Sequence, residues 1–143
     1  MNFPVCKYCQ GDWLIPYGSD SPDRIRDVSY QEEPAGIWCT ISFRNNRHTY
    51  TYPDCCKPIP LTAEILEKNG FVIKKKWAQR GNFGDNPLIM WHFDDDCILN
   101  NHKHELEIHD NSTGKLHISF ICDYVHQLQH ALRLCGIETE IVL

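Results

Sequence analysis

Residues 58–71 carry a full set of helix start and stop signals, and nearly everything around them alternates with a period of two. Thr62 stands where a hydroxyl N-cap is wanted, Leu61 and Leu66 occupy the positions of a hydrophobic staple, and Glu64 puts negative charge in the first turn. Asn69-Gly70 closes the helix, because glycine readily takes the left-handed backbone of a Schellman cap. Phe71 then falls where that cap makes its apolar contact, so Leu61, Leu66 and Phe71 are expected in one cluster. A second helix is written near the end of the sequence. Ile121, Tyr124, Val125, Leu128, Ala131, Leu132 and Cys135 recur at helical spacing, with Asp123 as the expected N-cap and Gly136 as the stop. Its apolar stripe is expected to lie on a sheet.

The rest reads as short strands. Residues 13–17, 24–30, 37–43 and 48–52 are rich in β-formers, and Arg44-Asn45-Asn46-Arg47 supplies a hairpin turn. Strands this short suggest a small barrel or curled sheet, which protects its edges by closure or by a partner layer. A second series follows at 71–77, 88–93, 104–109, 115–121 and 137–143, with 79–87 and 110–114 as loops and Asp94-Asp95-Asp96 as a turn. Within it, His104, Leu106 and Ile108 share one face, and Glu105, Glu107 and His109 the other. The predicted class is α+β: a small N-terminal β-barrel-like unit over residues 1–57, and an antiparallel sheet with two short helices over 58–143. The two are expected to build one compact body, with residues 53–60 as the candidate hinge.

Composition narrows the function. At 143 residues, 42 % apolar and 23 % charged, the chain has globular rather than disordered usage. No run approaches the roughly 18 apolar residues of a membrane helix, and Met1-Asn2-Phe3-Pro4 does not open a signal peptide. Fourteen basic residues against 19 acidic give a net charge of −5, which argues against a duplex-DNA binder. The expectation is a cytoplasmic protein without a membrane partner.

Eight cysteines in a chain without an export signal read as reduced thiols. Cys39, Cys97, Cys122 and Cys135 sit in apolar patterns and are expected to behave as small buried hydrophobes. Cys6-Lys7-Tyr8-Cys9 has the two-residue gap of a zinc knuckle. Cys55 and Cys56 are the candidates to complete that site, with His48 or Cys39 as substitutes. The competing reading is idle thiols and no cofactor.

Lys74-Lys75-Lys76-Trp77, followed by Arg80, is the one basic cluster in an acidic chain. Read as a strand, it puts Lys74 and Lys76 on one face and Lys75 and Trp77 on the other, with Trp91 and His92 on the next strand. Cations beside aromatic rings suit a nucleotide, the charge meeting phosphate and the ring stacking on the base. Lys74, Lys76, Trp77, Arg80, Trp91 and His92 are therefore the candidate ligand set. The plainer reading makes the indoles core and the lysines guards of an edge strand. His102, His104, His109 and His117, with Glu105 or Glu107, offer an acid–base pairing that is equally an ordinary cross-strand arrangement. His126 and His130 share a helix face but lack the glutamate of a zinc-protease helix. No nucleophile signature appears, so no catalytic residue is assigned and the chain is expected not to be an enzyme.

Three stretches together resemble a family of small uncharacterised proteins common in Bacteroidetes phages, prophages and mobile elements. They are Gly11-Asp12-Trp13, the 58–71 helix with its Pro-Leu-Thr opening and Gly-Phe end, and Tyr124-Val125-His126-Gln127-Leu128-Gln129. The resemblance implies an accessory protein acting inside a bacterium, and brings no catalytic residues. Joined to the basic–aromatic cluster, it gives the expected function. The chain would bind and sequester a nucleotide-type immune signal as counter-defence, as a possible homo-oligomer, breaking no bond. The alternatives are a protein–protein inhibitor or adaptor of a host defence factor, and a zinc-stabilised nucleic-acid accessory protein.

Overall fold

The computed structural model describes residues 6–34, 36–45, 50–81, 87–93, 104–110, 116–138 and 140–143. The acidic run Asp94-Asp95-Asp96, His48, Cys97, His102 and the 111–114 turn lie outside them. The chain divides into two compact units, Met1–Ile59 and Pro60–Leu143, each built on a five-stranded antiparallel sheet.

In the first unit the strands are β1 (Trp13–Ile15), β2 (Asp23–Glu33), β3 (Gly36–Phe43), β4 (Tyr50–Thr51) and β5 (Lys57–Pro58). A 3-10 turn, Pro53–Cys55, precedes β5. The order is β4-β3-β2-β1-β5. The long β2 serves both halves: it pairs with β3 along most of its length, and with β1 through Trp13↔Arg24 and Leu14↔Asp23. A register shift between Ile25 and Asp27 bends it for this double role. The apolar cluster gathers Leu14, Ile25, Ile41 and Phe43 with Tyr8 and Cys56. Asp12 is fully buried, and its Oδ2 accepts the Cys9 backbone N–H at 2.7 Å, which pins the turn leading into β1.

Two expectations change here. No closed barrel forms among the described residues, because β4 and β5 end the sheet as separate edges. Pro58 pairs with Leu14, so Lys57–Pro58 is the outer strand of the first unit, and the boundary moves from 57/58 to 59/60. A proline without an N–H is tolerated there because one side of an edge strand needs no donor.

The second unit runs α1 (Ala63–Lys68), β6 (Val72–Ile73), β7 (Trp77–Arg80), β8 (Leu88–His92), β9 (Glu105–Asp110), β10 (Leu116–Ile121) and α2 (Val125–Leu134), with sheet order β10-β9-β8-β7-β6. Helix α1 forms as its signals predict. Thr62 Oγ1 accepts the Ile65 N–H at 3.2 Å. Phe71 N–H reaches back to Leu66 O at 3.0 Å, with Gly70 at φ +88° between them. Leu61, Leu66 and Phe71 are all buried. The stripe of α2 is buried through Val125, Leu128, Ala131 and Leu132. Its N-cap is Tyr124 rather than Asp123, and Gln127 Oε1 accepts the backbone N–H groups of both. Asp123 turns instead to the backbone N–H of His104, at 2.7 Å.

The run 71–77 is not one strand. Lys74 N–H donates to Trp77 O at 2.7 Å, closing a tight hairpin with Lys75 and Lys76 at its tip. Gln79, expected in a loop, pairs with Val72 inside β7. Residues 137–143 form no strand among those described. The tail is held instead by Asn69: its Nδ2 donates to Val142 O at 2.7 Å and its Oδ1 accepts Val142 N–H at 2.8 Å. Among the described residues no helix is long and apolar enough to cross a membrane.

Candidate functional site

The register of the second sheet sorts its side chains. Ala78↔Trp91↔Leu106 and Ile89↔Ile108 line one face, and these five residues are buried. Trp77↔His92↔Glu105 and Gln79↔Met90↔Glu107 line the other, which is mostly polar.

This sorting divides the predicted ligand set. Trp91 is only 2 % exposed and its Nε1 donates to Cys122 O at 2.8 Å, so it is a core residue and no ligand can stack on it. Arg80 pairs with Ile89 and so belongs to the inner-face register. Both corrections have one cause: in β7 and β8, neighbours in sequence point to opposite sides of the sheet. Lys76 sits in the hairpin turn, exposed, with its carbonyl accepting Phe93 N–H. Lys74, Trp77 and His92 remain together on the polar face.

Two residues complete that face. Gln79 is buried; its Oε1 accepts Trp77 Nε1–H at 3.1 Å and its Nε2 donates to Gly81 O at 2.9 Å. The indole is thereby fixed, with the His92 ring 6.4 Å away. Gln79 also lines a hollow of about 200 Å³, together with Gly70, Val72, Lys74 and Gly81. On the other side Glu107 stands between two imidazoles: Oε1 is 3.4 Å from His92 Nε2, and Oε2 is 3.2 Å from His109 Nε2. The face thus carries a lysine-lined hollow, a fixed indole, and a carboxylate with both oxygens turned to histidines. Glu107 and His109 were legible as outward positions of an alternating strand; Gln79 was hidden by its loop-like surroundings. His109 also pairs with His117 across β9 and β10, as predicted, whereas His104 packs its ring 4.7 Å from Trp91.

The predicted zinc set does not assemble. Among the described residues, no three of Cys6, Cys9, Cys55 and Cys56 bring their sulfurs within ligand distance of one another. The reason lies in the burial pattern. Tyr8 points into the core, Cys9 is exposed in the turn held by Asp12, and Cys6 packs against the core edge. Cys56 is buried with its Sγ on Thr51 Oγ1 at 3.4 Å, while adjacent Cys55 is exposed. The substitute Cys39 is held as a thiol, its pKa raised by burial and by the Cys6 thiol hydrogen-bonded to it. Burial likewise pushes Cys122 up to about 12, and the nearby Asp123 adds to the shift. Neither environment creates a reactive thiolate.

Comparison with protein-family models, with curated proteins and with solved structures finds no match to this chain.

Proposed function

We propose that this protein acts by binding an anionic ligand of the nucleotide type on the polar face of its second sheet. The observation that carries the reading is the Trp77 indole fixed by Gln79, a residue that also lines the Lys74 hollow. A volume of about 200 Å³ is below the roughly 300 Å³ of a whole small-molecule site, but it suits one phosphate group. The lysine supplies the charge there, and glycines leave room for close approach. The base would lie outside the hollow, against Trp77 and His92. Stacking on an aromatic is worth about 1–3 kcal/mol per base, and a hydrogen bond to a charged group about 1.5–3 kcal/mol. Together these reach about 6 kcal/mol at most before the cost of association, which corresponds to weak binding, on the order of millimolar.

In the setting that the family resemblance implies, such binding would serve counter-defence by sequestering a nucleotide immune signal. Thermal melting against a panel of cyclic and linear nucleotides tests this, because a ligand that prefers the folded state raises the melting temperature. A clear upward shift that Lys74→Ala removes supports the reading; no shift with any member of the panel rejects it.

A further inference from the structure

The first unit brings together two thiols that lie far apart in sequence. Cys6 belongs to the segment ahead of β1, and Cys39 sits in the middle of β3, where it pairs with Tyr30 of β2. Both lie inside the same compact unit. Their side chains are hydrogen-bonded to each other. They also share one surface, an open groove of about 370 Å³ lined by both thiols and by the Trp38 and Tyr52 rings. Cys6 is partly exposed whereas Cys39 is only 9 % exposed, so a small reagent entering the groove meets Cys6 first.

The other thiols described in this unit are placed differently. Cys56 is buried, with its Sγ at 3.4 Å from Thr51 Oγ1 and 3.8 Å from Tyr52 O. Cys9 and Cys55 are exposed. Two hydrogen-bonded sulfurs must still close to a bond of about 2.05 Å. Cys39 is held in place by strand pairing. Cys6 lies outside regular secondary structure, packed at the edge of the apolar cluster, and its side chain is the one free to turn.

We infer that Cys6 and Cys39 are a reversible disulfide site, oxidised by exchange with a small-molecule disulfide of the glutathione class. The Cys6 thiolate attacks one sulfur of the reagent, whose S–S bond breaks, and a first small thiol leaves. Cys39 gives up its proton and attacks the Cys6 sulfur of this mixed disulfide, and the second small thiol leaves. The protein loses two protons and two electrons, and the reagent takes them up as two thiols. Burial holds the Cys39 proton most strongly, and the Cys6 thiol adds to that hold. The Cys6 part is relieved once Cys6 is in the mixed disulfide; burial persists, so the second step is slow and the finished bond is shielded. Closure ties the segment that carries Tyr8 and the Asp12 turn to β3.

The test is equilibration of the full chain in glutathione buffers running from fully reduced to fully oxidised, followed by acid quench, alkylation and peptide mapping. A Cys6–Cys39 linkage is expected, with the joined peptides lighter by two hydrogens than the separate thiols, and it should disappear on return to reduced buffer. Cys39→Ala should abolish the linkage and leave Cys6 carrying glutathione. Cys6→Ser should abolish it and leave Cys39 as a thiol. Both variants are checked for a cooperative melt in the reduced state. Because closing the loop restricts the unfolded chain, oxidation should raise the melting temperature by about 5 °C or more relative to the change in Cys6→Ser treated identically. Cys39 recovered as a thiol from folded wild type in oxidised buffer would overturn the assignment. So would Cys6 joined to a different cysteine or to a second copy, or an oxidised form that melts no higher than this control.

Discussion

Trp77 and Gln79 are joined by a hydrogen bond from indole Nε1 to amide Oε1 at 3.1 Å, and the same amide donates onward to Gly81 O at 2.9 Å. One buried side chain thus fixes both the indole of the candidate site and the strand end beside the hollow. Replacing Gln79 with Ala leaves the indole N–H and the Gly81 carbonyl without that partner. A loss of about 1–3 kcal/mol in urea unfolding is expected. Ligand binding should weaken as well, because the indole is no longer held. A stability change below about 0.5 kcal/mol would show that the amide is not the fixing element.

The ends of α1 give a cleaner stability test. Thr62→Ala removes the Oγ1 acceptor of Ile65 N–H and should cost about 1 kcal/mol. Gly70 stands at φ +88° with open space where a Cβ would go, so Gly70→Ala meets no clash and its cost is backbone strain alone, about 1 kcal/mol. Denaturant midpoints of both variants check this. A neutral Gly70→Ala would mean that the left-handed cap is absent in solution.

Asn69 exchanges two hydrogen bonds with Val142 across 73 positions of sequence. Asn69→Ala should release the tail before the unit unfolds. Hydrogen exchange at the Val142 amide should then accelerate about tenfold or more while the amides of β8 stay protected. Equal protection of Val142 in wild type and variant would contradict the tie.

The thiols set an alkaline limit. Cys122 titrates at about 12 when folded against 9.0 as the ordinary value, because burial disfavours the thiolate. Burial raises Cys39, and Tyr8 above its usual 10.0, in the same direction. A group with a raised folded pKa holds its proton more tightly in the folded state. Its contribution is complete below pH 9 and is lost as the pH climbs toward 12. Urea midpoints should fall across that window, and Cys122→Ala should flatten the slope. A midpoint that is constant or rises there would be the contrary result.

Much of this was legible in the residues, for reasons that differ from place to place. The α1 caps were readable because Thr62, Leu66, Gly70 and Phe71 act within one or two turns of each other, and local chemistry decides their geometry. The alternation of 104–109 was readable for the same reason. The lysine run misled, since 71–77 satisfies a strand pattern and its turn contains neither glycine nor proline. The break comes from the pairing of Ile73 with Ala78, a relationship between strands that composition does not state. Trp91 was misplaced in the ligand set because strand parity, one position away from His92, sends its ring to the core. The groove at Trp38 and Tyr52 was missed because 14 positions separate two rings that the fold brings to 6.0 Å.

The proposed function requires that the polar face around Lys74 and Trp77 hold a nucleotide-type anion without transforming it. Equilibrium titration with the nucleotide giving the largest melting shift, followed by analysis of the recovered ligand, tests both halves at once. Saturable binding is expected, with the ligand recovered intact. Lys74→Ala should weaken binding about tenfold or more, Trp77→Ala should do the same, and Trp77→Phe should restore part of the loss by keeping a stacking ring. Binding indifferent to Lys74 and Trp77, or a ligand returned as cleaved product, would contradict it.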